Sequence, residues 1–432
     1  MKKQALAVLL GLSLAAGIQY SGAAAGPPQQ STPVPSLSPT NAATFAAVKN
    51  ILVVPLSFAG HDGDLETIKT RYGELLPQYI RAVSYGRLEL NVTITPWISM
   101  PHPISGYRLG SFRIREMQYH WLSQYRLAKD AADLLDARYD FHRFDGLMLV
   151  VGVDPKELGR CGYLFRSSTG FHRPRTPGGQ TIPPTDVRTW NCPFPSIAYA
   201  LPKMVAGYRD GRAVVPTLYD FDAQSSPGPF GYANQWVGGM GAMQYYSRYV
   251  GPWDIQSQHG IRTGAEILPQ GMTSFTRIRS GWIDELKIAT LGAGEARRLC
   301  LPPLVNGEGK TLAVRLPLDE HRYYLIENRQ QEGVDHHLPS EGILIMRVDE
   351  TIAEGRGPVR VVDAHPEVPH FGAAPFKSGE TFRDTEHGIT VMVLGKDGDE
   401  YSLCIRREAG TSNVKNAVPP VLSGGSMKGD CS

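Results

Sequence analysis

Apolar and polar positions follow different rhythms in the two halves of this chain. Near the start, Asn50-Ile51-Leu52-Val53-Val54-Pro55-Leu56 is a continuous apolar run of strand length, the pattern of a strand covered on both faces. Past the turn at His61-Asp62-Gly63-Asp64, helical spacing links Leu65, Ile68, Tyr72, Leu75, Leu76 and Tyr79. Gly86 is placed to take the left-handed conformation after that helix. Leu88 to Ile94 alternates like a half-buried strand. Met117, Trp121, Tyr125, Ala128, Ala132 and Leu135 then recur at three and four, which predicts a helix over 114–138. Phe144 to Gly152 is a second buried strand.

From about Lys287 the rhythm shortens to strands and turns. Leu312–Leu316, Tyr323–Glu327, Gly342–Val348, Val359–Val362, Ile389–Leu394 and Tyr401–Ile405 are the predicted strands, with Asp397-Gly398 as the turn joining the last two. Between the halves lie an irregular region, 154–195, and a helical stretch from Ser196 to Gly207. The expected fold class is therefore α+β: an α/β domain over 49–286 followed by an all-β domain over 287–408. Residues 26–48 read as a Pro/Ser/Thr-rich linker and 409–432 as a disordered tail.

Composition narrows the function classes. A formal charge of +2 gives no phosphate-steering field, which argues against nucleic acid as a partner. Lys2, Lys3 and the apolar run to Ala16, ending in small residues, read as a signal peptide over 1–25, so the expected location is secreted, extracellular or periplasmic. No later run reaches about 18 apolar residues, so no transmembrane segment is expected in the mature chain. Export makes the five cysteines disulfide candidates. The preferred pairs, Cys161–Cys192 and Cys300–Cys404, each stay within one expected domain and leave Cys431 over; a catalytic Cys161 is the rival reading, with no recognisable His partner nearby.

A set of landmarks in shared order resembles the immune inhibitor A-like family of secreted zinc metallopeptidases. They are Tyr79-Ile80-Arg81-Ala82-Val83-Ser84-Tyr85-Gly86-Arg87-Leu88, Pro216-Thr217-Leu218-Tyr219-Asp220, Gly251-Pro252-Trp253-Asp254-Ile255, Ser280-Gly281-Trp282-Ile283 and Tyr323-Tyr324-Leu325-Ile326-Glu327-Asn328-Arg329 with Asp335 and Gly342–Ile345. The resemblance spans roughly residues 50–406 and implies a zincin-like domain whose helix carries HExxHxxG, followed by a β-rich domain. A helix-borne zinc site needs two histidines four apart with a glutamate after the first. None of the twelve histidines here has a histidine four residues away, and none is followed by Glu. With the family's glycine placed on Gly207, the ligand and base positions hold Ala200, Leu201 and Met204; placed from the Leu-Tyr-Asp match they hold Gly207, Tyr208 and Gly211. The family's aspartate and methionine positions hold Thr217 and Gln256. Pro202 adds the expectation of a broken or kinked helix.

These substitutions favour a pseudopeptidase without catalytic residues, cofactor or metal, acting as a protein- or peptide-binding module whose residual cleft would include Tyr219, Asp220 and Trp253. The alternative is an active zinc metalloendopeptidase with an atypical metal site. Glu327 and Arg329 read as a structural ion pair. Asp335-His336-His337 and Asp397, Asp399 and Glu400 could hold a metal, or be ordinary polar loops.

Overall fold

The structure is a computed structural model. It describes residues 47–107, 109, 117–154, 162–163, 173–221, 248–263 and 266–409, with side chains undescribed at 117–124 and 162–163. The expected signal segment, Cys161, Cys431 and nearly all of the expected linker and tail lie outside the described residues.

The apolar run near the start becomes β1 (Ala47–Ser57), which begins two residues inside the expected linker because Ala47 already pairs with Leu88. Parallel strands β2 (Leu88–Ile94) and β4 (Gly146–Val151) flank it, and β3 (Ile98–Ser99) pairs with its end. Beyond β4 lie antiparallel β5 (Gly162–Tyr163) and, between them, β6 (Thr185–Thr189), giving the order β2-β1-β4-β6-β5. Alternation sends Ile51, Val53, Met148 and Val150 to one apolar layer and Leu52, Val54, Leu147 and Leu149 to the other, so both faces of the sheet are covered. One cover is a continuous helical rod: α1 (Leu65–Ile68), a π turn (Lys69–Leu75) and α2 (Leu76–Val83). The Asp64 carboxylate caps it by accepting the Glu66 and Thr67 amides, and Gly86 closes it at φ 72°. Leu75, expected on the buried stripe, is 38% exposed. The other cover is α3 (Met117–Leu135), through Leu127, Ala128, Ala131 and Leu135.

After the antiparallel pair β9 (Ile261–Thr263) and β10 (Glu266–Leu268), the second half forms two sheets. Five strands run in the order β11 (Ile288–Thr290), β13 (Ala313–Pro317), β14 (Arg322–Arg329), β15 (Gly342–Asp349), β16 (Val359–Val362). Four run β12 (Ala296–Leu301), β19 (Glu400–Arg407), β18 (Ile389–Asp397), β17 (Thr381–Asp384). Ile326, Ile345, Val391 and Leu403 fill the space between them. The opposite face of the five-stranded sheet presents Leu325, Leu344 and Met346 to Trp253 and Phe275, so β14 and β15 are buried on both sides. The expected α+β class is what the chain adopts, and from residue 45 onward it is one compact unit.

Cys192 and Cys300 are disulfide-bonded to partners outside the described residues, whereas Cys404 is a buried thiol. The expected Cys300–Cys404 bridge is therefore not formed. Strand register explains this: Cys300 stands opposite Ser402 and Cys404 opposite Arg298, so the two cysteines are diagonal neighbours, and such pairs lie about 7–8 Å apart, beyond easy bridging.

Candidate functional site

The helical stretch of interest is α4 (Phe194–Ala206), which runs unbroken through Pro202. This corrects the expectation of a break. Proline removes the amide that would donate to the Ala198 carbonyl, a cost of about 3 kcal/mol. Complete burial of Ile197, Ala198, Ala200 and Leu201 against the sheet offsets it. The helix stops at Gly207, φ 65°, and a short hairpin follows, β7 (Tyr208–Arg209) and β8 (Arg212–Ala213), turning at Asp210 and Gly211 with positive φ. Gly207, Tyr208 and Gly211 thus lie beyond the helix.

Ala200, Leu201 and Met204 belong to the apolar layer with Val53 and Met148. Met204 lies so close over Gly146 that a Cβ there would come 2.5 Å from its Cε. The pair on α4 engaged with polar groups, also four apart, is Tyr199 and Lys203. The Lys203 ammonium donates to Thr217 Oγ1 at 2.7 Å and to Glu354 Oε2 at 3.0 Å. The Thr217 amide donates to the same Glu354 oxygen at 3.1 Å, and the Tyr199 hydroxyl lies 3.1 Å from Thr217 Oγ1. The His259 ring stacks on Tyr199 with centroids 3.8 Å apart, and Tyr219 meets His259 edge-on at 5.5 Å.

Two buried residues of β6 extend this cluster inward. Arg188 grips Asp186 through two hydrogen bonds, Nε to Oδ2 at 2.7 Å and Nη2 to Oδ1 at 3.1 Å. Burial raises the Asp186 carboxyl against the opposing pull of Arg188. Burial also pushes the Tyr199 phenol up to about 12 and His259 down to about 3, the latter helped by the positive charges of Arg188 and Lys203. His259 is therefore a neutral imidazole at physiological pH. The fully buried Tyr72 hydroxyl, on the π turn, has no hydrogen-bond partner among the described residues.

The remaining expected positions are dispersed. Gln256 is buried and donates from its amide to the Tyr199 carbonyl. Asp220 is buried and accepts from Arg248. Trp253 does not line this cluster: it sits in the apolar layer on the five-stranded sheet and donates to the Phe371 carbonyl. Glu327 and Arg329 do form an ion pair, which also enlists Asp335, while His336 is exposed. Asp397, Asp399 and Glu400 occupy an exposed hairpin tip. Among the described residues, the three-ligand group that comes together is Asp384, Glu386 and His387, in which Asp384 already accepts from Tyr324 and His387.

Zinc does not fit the α4 site. Its expected ligand positions are aliphatic and buried, and the polar pair beside them contributes an ammonium that would repel a cation. The charged part of the cluster was hidden in the sequence. Tyr199 and Lys203 show ligand-like spacing, but Glu354 lies 151 residues from Lys203 and carries no local signal. Among the described residues no helix is long and apolar enough to cross a membrane. No protein-family model matches the chain, and no curated protein is significantly similar to it.

Proposed function

We infer that this protein is a noncatalytic binding module, a pseudopeptidase built on a zincin-like scaffold, and that the polar cluster beside α4 is its recognition site for a protein or peptide. One observation carries the reading: the two α4 side chains that meet the polar groups are Tyr199 and Lys203, and the Lys203 ammonium is committed to Thr217 and Glu354. A peptidase of this kind needs a cation to activate water, and this donor set supplies hydrogen bonds and positive charge instead. Secretion, inferred from the leading residues, is part of the same reading.

The test is metal content of the mature protein, purified without a histidine tag after zinc supplementation and dialysis, then casein cleavage with and without chelator. The expected result is less than about a tenth of an equivalent of zinc and no chelator-sensitive cleavage. Near-stoichiometric zinc together with chelator-sensitive cleavage would overturn the reading in favour of an active metalloendopeptidase.

A further inference from the structure

Glu354 reaches α4 from the turn between β15 and β16, and this turn is fastened to the α4 side of the molecule. Gly355 donates its amide to the Thr217 carbonyl at 2.9 Å, and Phe221 donates to the Gly355 carbonyl at 2.9 Å. Gly355 holds φ 70°, and a Cβ there would come 2.2 Å from the Phe221 ring, so only glycine seats the turn this closely. Arg212 donates to the Glu350 carbonyl at the other end of the turn.

The result is a single carboxylate oxygen held by an ammonium and a backbone amide, two donors that need no rearrangement to receive another carboxylate. The Lys203 and Glu354 side chains are only 12% and 17% exposed. An ammonium so enclosed requires an anionic partner, because removing one member of such a pair leaves an uncompensated charge. Yet the partner arrives on a turn whose neighbours Thr351, Ala353 and Arg356 are exposed, not on a rigid strand.

We propose that Lys203 and Thr217 form a carboxylate-binding site and that Glu354 is its built-in occupant, displaced when a peptide carboxylate enters and the 350–357 turn lifts away. This deepens the peptide-binding reading and rests on it.

The test uses full-length wild type, Glu354→Ala and Lys203→Met/Glu354→Ala, with thermal midpoints followed as sodium acetate replaces sodium chloride at constant ionic strength. Acetate is expected to raise the midpoint of Glu354→Ala in a saturable manner, and to leave wild type and the double variant unmoved. Equal responses in the single and double variants, or none in either, would overturn the proposal. Should Glu354→Ala fail to fold, wild type decides through hydrogen exchange of residues 349–357. The probes are tetra-alanine with a free or an amidated C-terminus, and an amidated alanine peptide with one central glutamate. Faster exchange with the free-acid peptide alone identifies a chain terminus as the ligand, and faster exchange with the glutamate peptide identifies an acidic side chain. Unchanged exchange with all three at millimolar concentration sinks the idea. A failure here with no zinc bound leaves the noncatalytic reading standing, whereas zinc-dependent cleavage removes that reading whatever acetate does.

Discussion

Arg329 donates from one guanidinium nitrogen to both carboxylate oxygens of Asp335, each at 2.9 Å, and neither side chain has any exposed surface. The other terminal nitrogen bridges Glu327 and the Trp253 carbonyl. One cation thus serves two buried carboxylates. Arg329→Met is expected to lower unfolding stability by about 3–5 kcal/mol, the usual consequence of stranding a buried charge. Urea denaturation checks this, and a loss below about 1 kcal/mol would show that the carboxylates are neutralised some other way.

At Tyr72 the opposite sign is expected. Its hydroxyl is buried without a hydrogen-bond partner among the described residues, so it loses hydration and gains nothing from them in return. Tyr72→Phe should raise stability by about 1 kcal/mol. A drop in the urea midpoint would mean that the hydroxyl is satisfied in solution.

His259 predicts a pH dependence. Its imidazole is held down to about 3 in the folded state, chiefly by burial, against an ordinary value of 6.5. The unfolded chain therefore binds a proton that the folded one refuses between these values. Stability from this group is fully present above pH 6.5 and is lost progressively as pH falls toward 3. His259→Gln should flatten the stability profile between pH 6.5 and 4.5, with each fully titrating proton worth about 1.4 kcal/mol per pH unit. Parallel profiles for the two proteins would contradict a neutral buried ring.

The cysteine assignment is open to a chemical check. Alkylating the unfolded, unreduced protein should label Cys404 and spare Cys192 and Cys300. Reduction should then lower stability by about 2–4 kcal/mol for each bridge lost. Peptide mapping that finds Cys404 in a disulfide would reverse the assignment.

Much of the scaffold was legible because burial writes a simple pattern. The run around Ile51 and Val53 announced a strand covered on both faces, and Asp397-Gly398 announced the hairpin of β18 and β19, where Gly398 does adopt φ 54°. β6 leaves no apolar signature because Asp186 and Arg188 read as exposed residues, whereas in the fold they are buried as a mutually neutralising pair. β12 is faint for a related reason: Arg297 and Arg298 interrupt its apolar residues. At the candidate site, the four-residue spacing of Tyr199 and Lys203 was readable from the sequence. The ion pair of Lys203 with Glu354 was not, since it depends on a turn of the second half folding back onto a helix of the first.

The sheet order also bears on how the chain is made. β1 pairs on one side with β2, whose residues follow soon after, but its other side waits for β4, about ninety residues further along. At the usual pace of synthesis that interval is roughly 5–20 s. Throughout it, one edge of a strand reading Ile51-Leu52-Val53-Val54 presents bare amides and carbonyls. A strand fully enclosed at the end is thus left open along one edge while it is born, and a holding chaperone would find a target there.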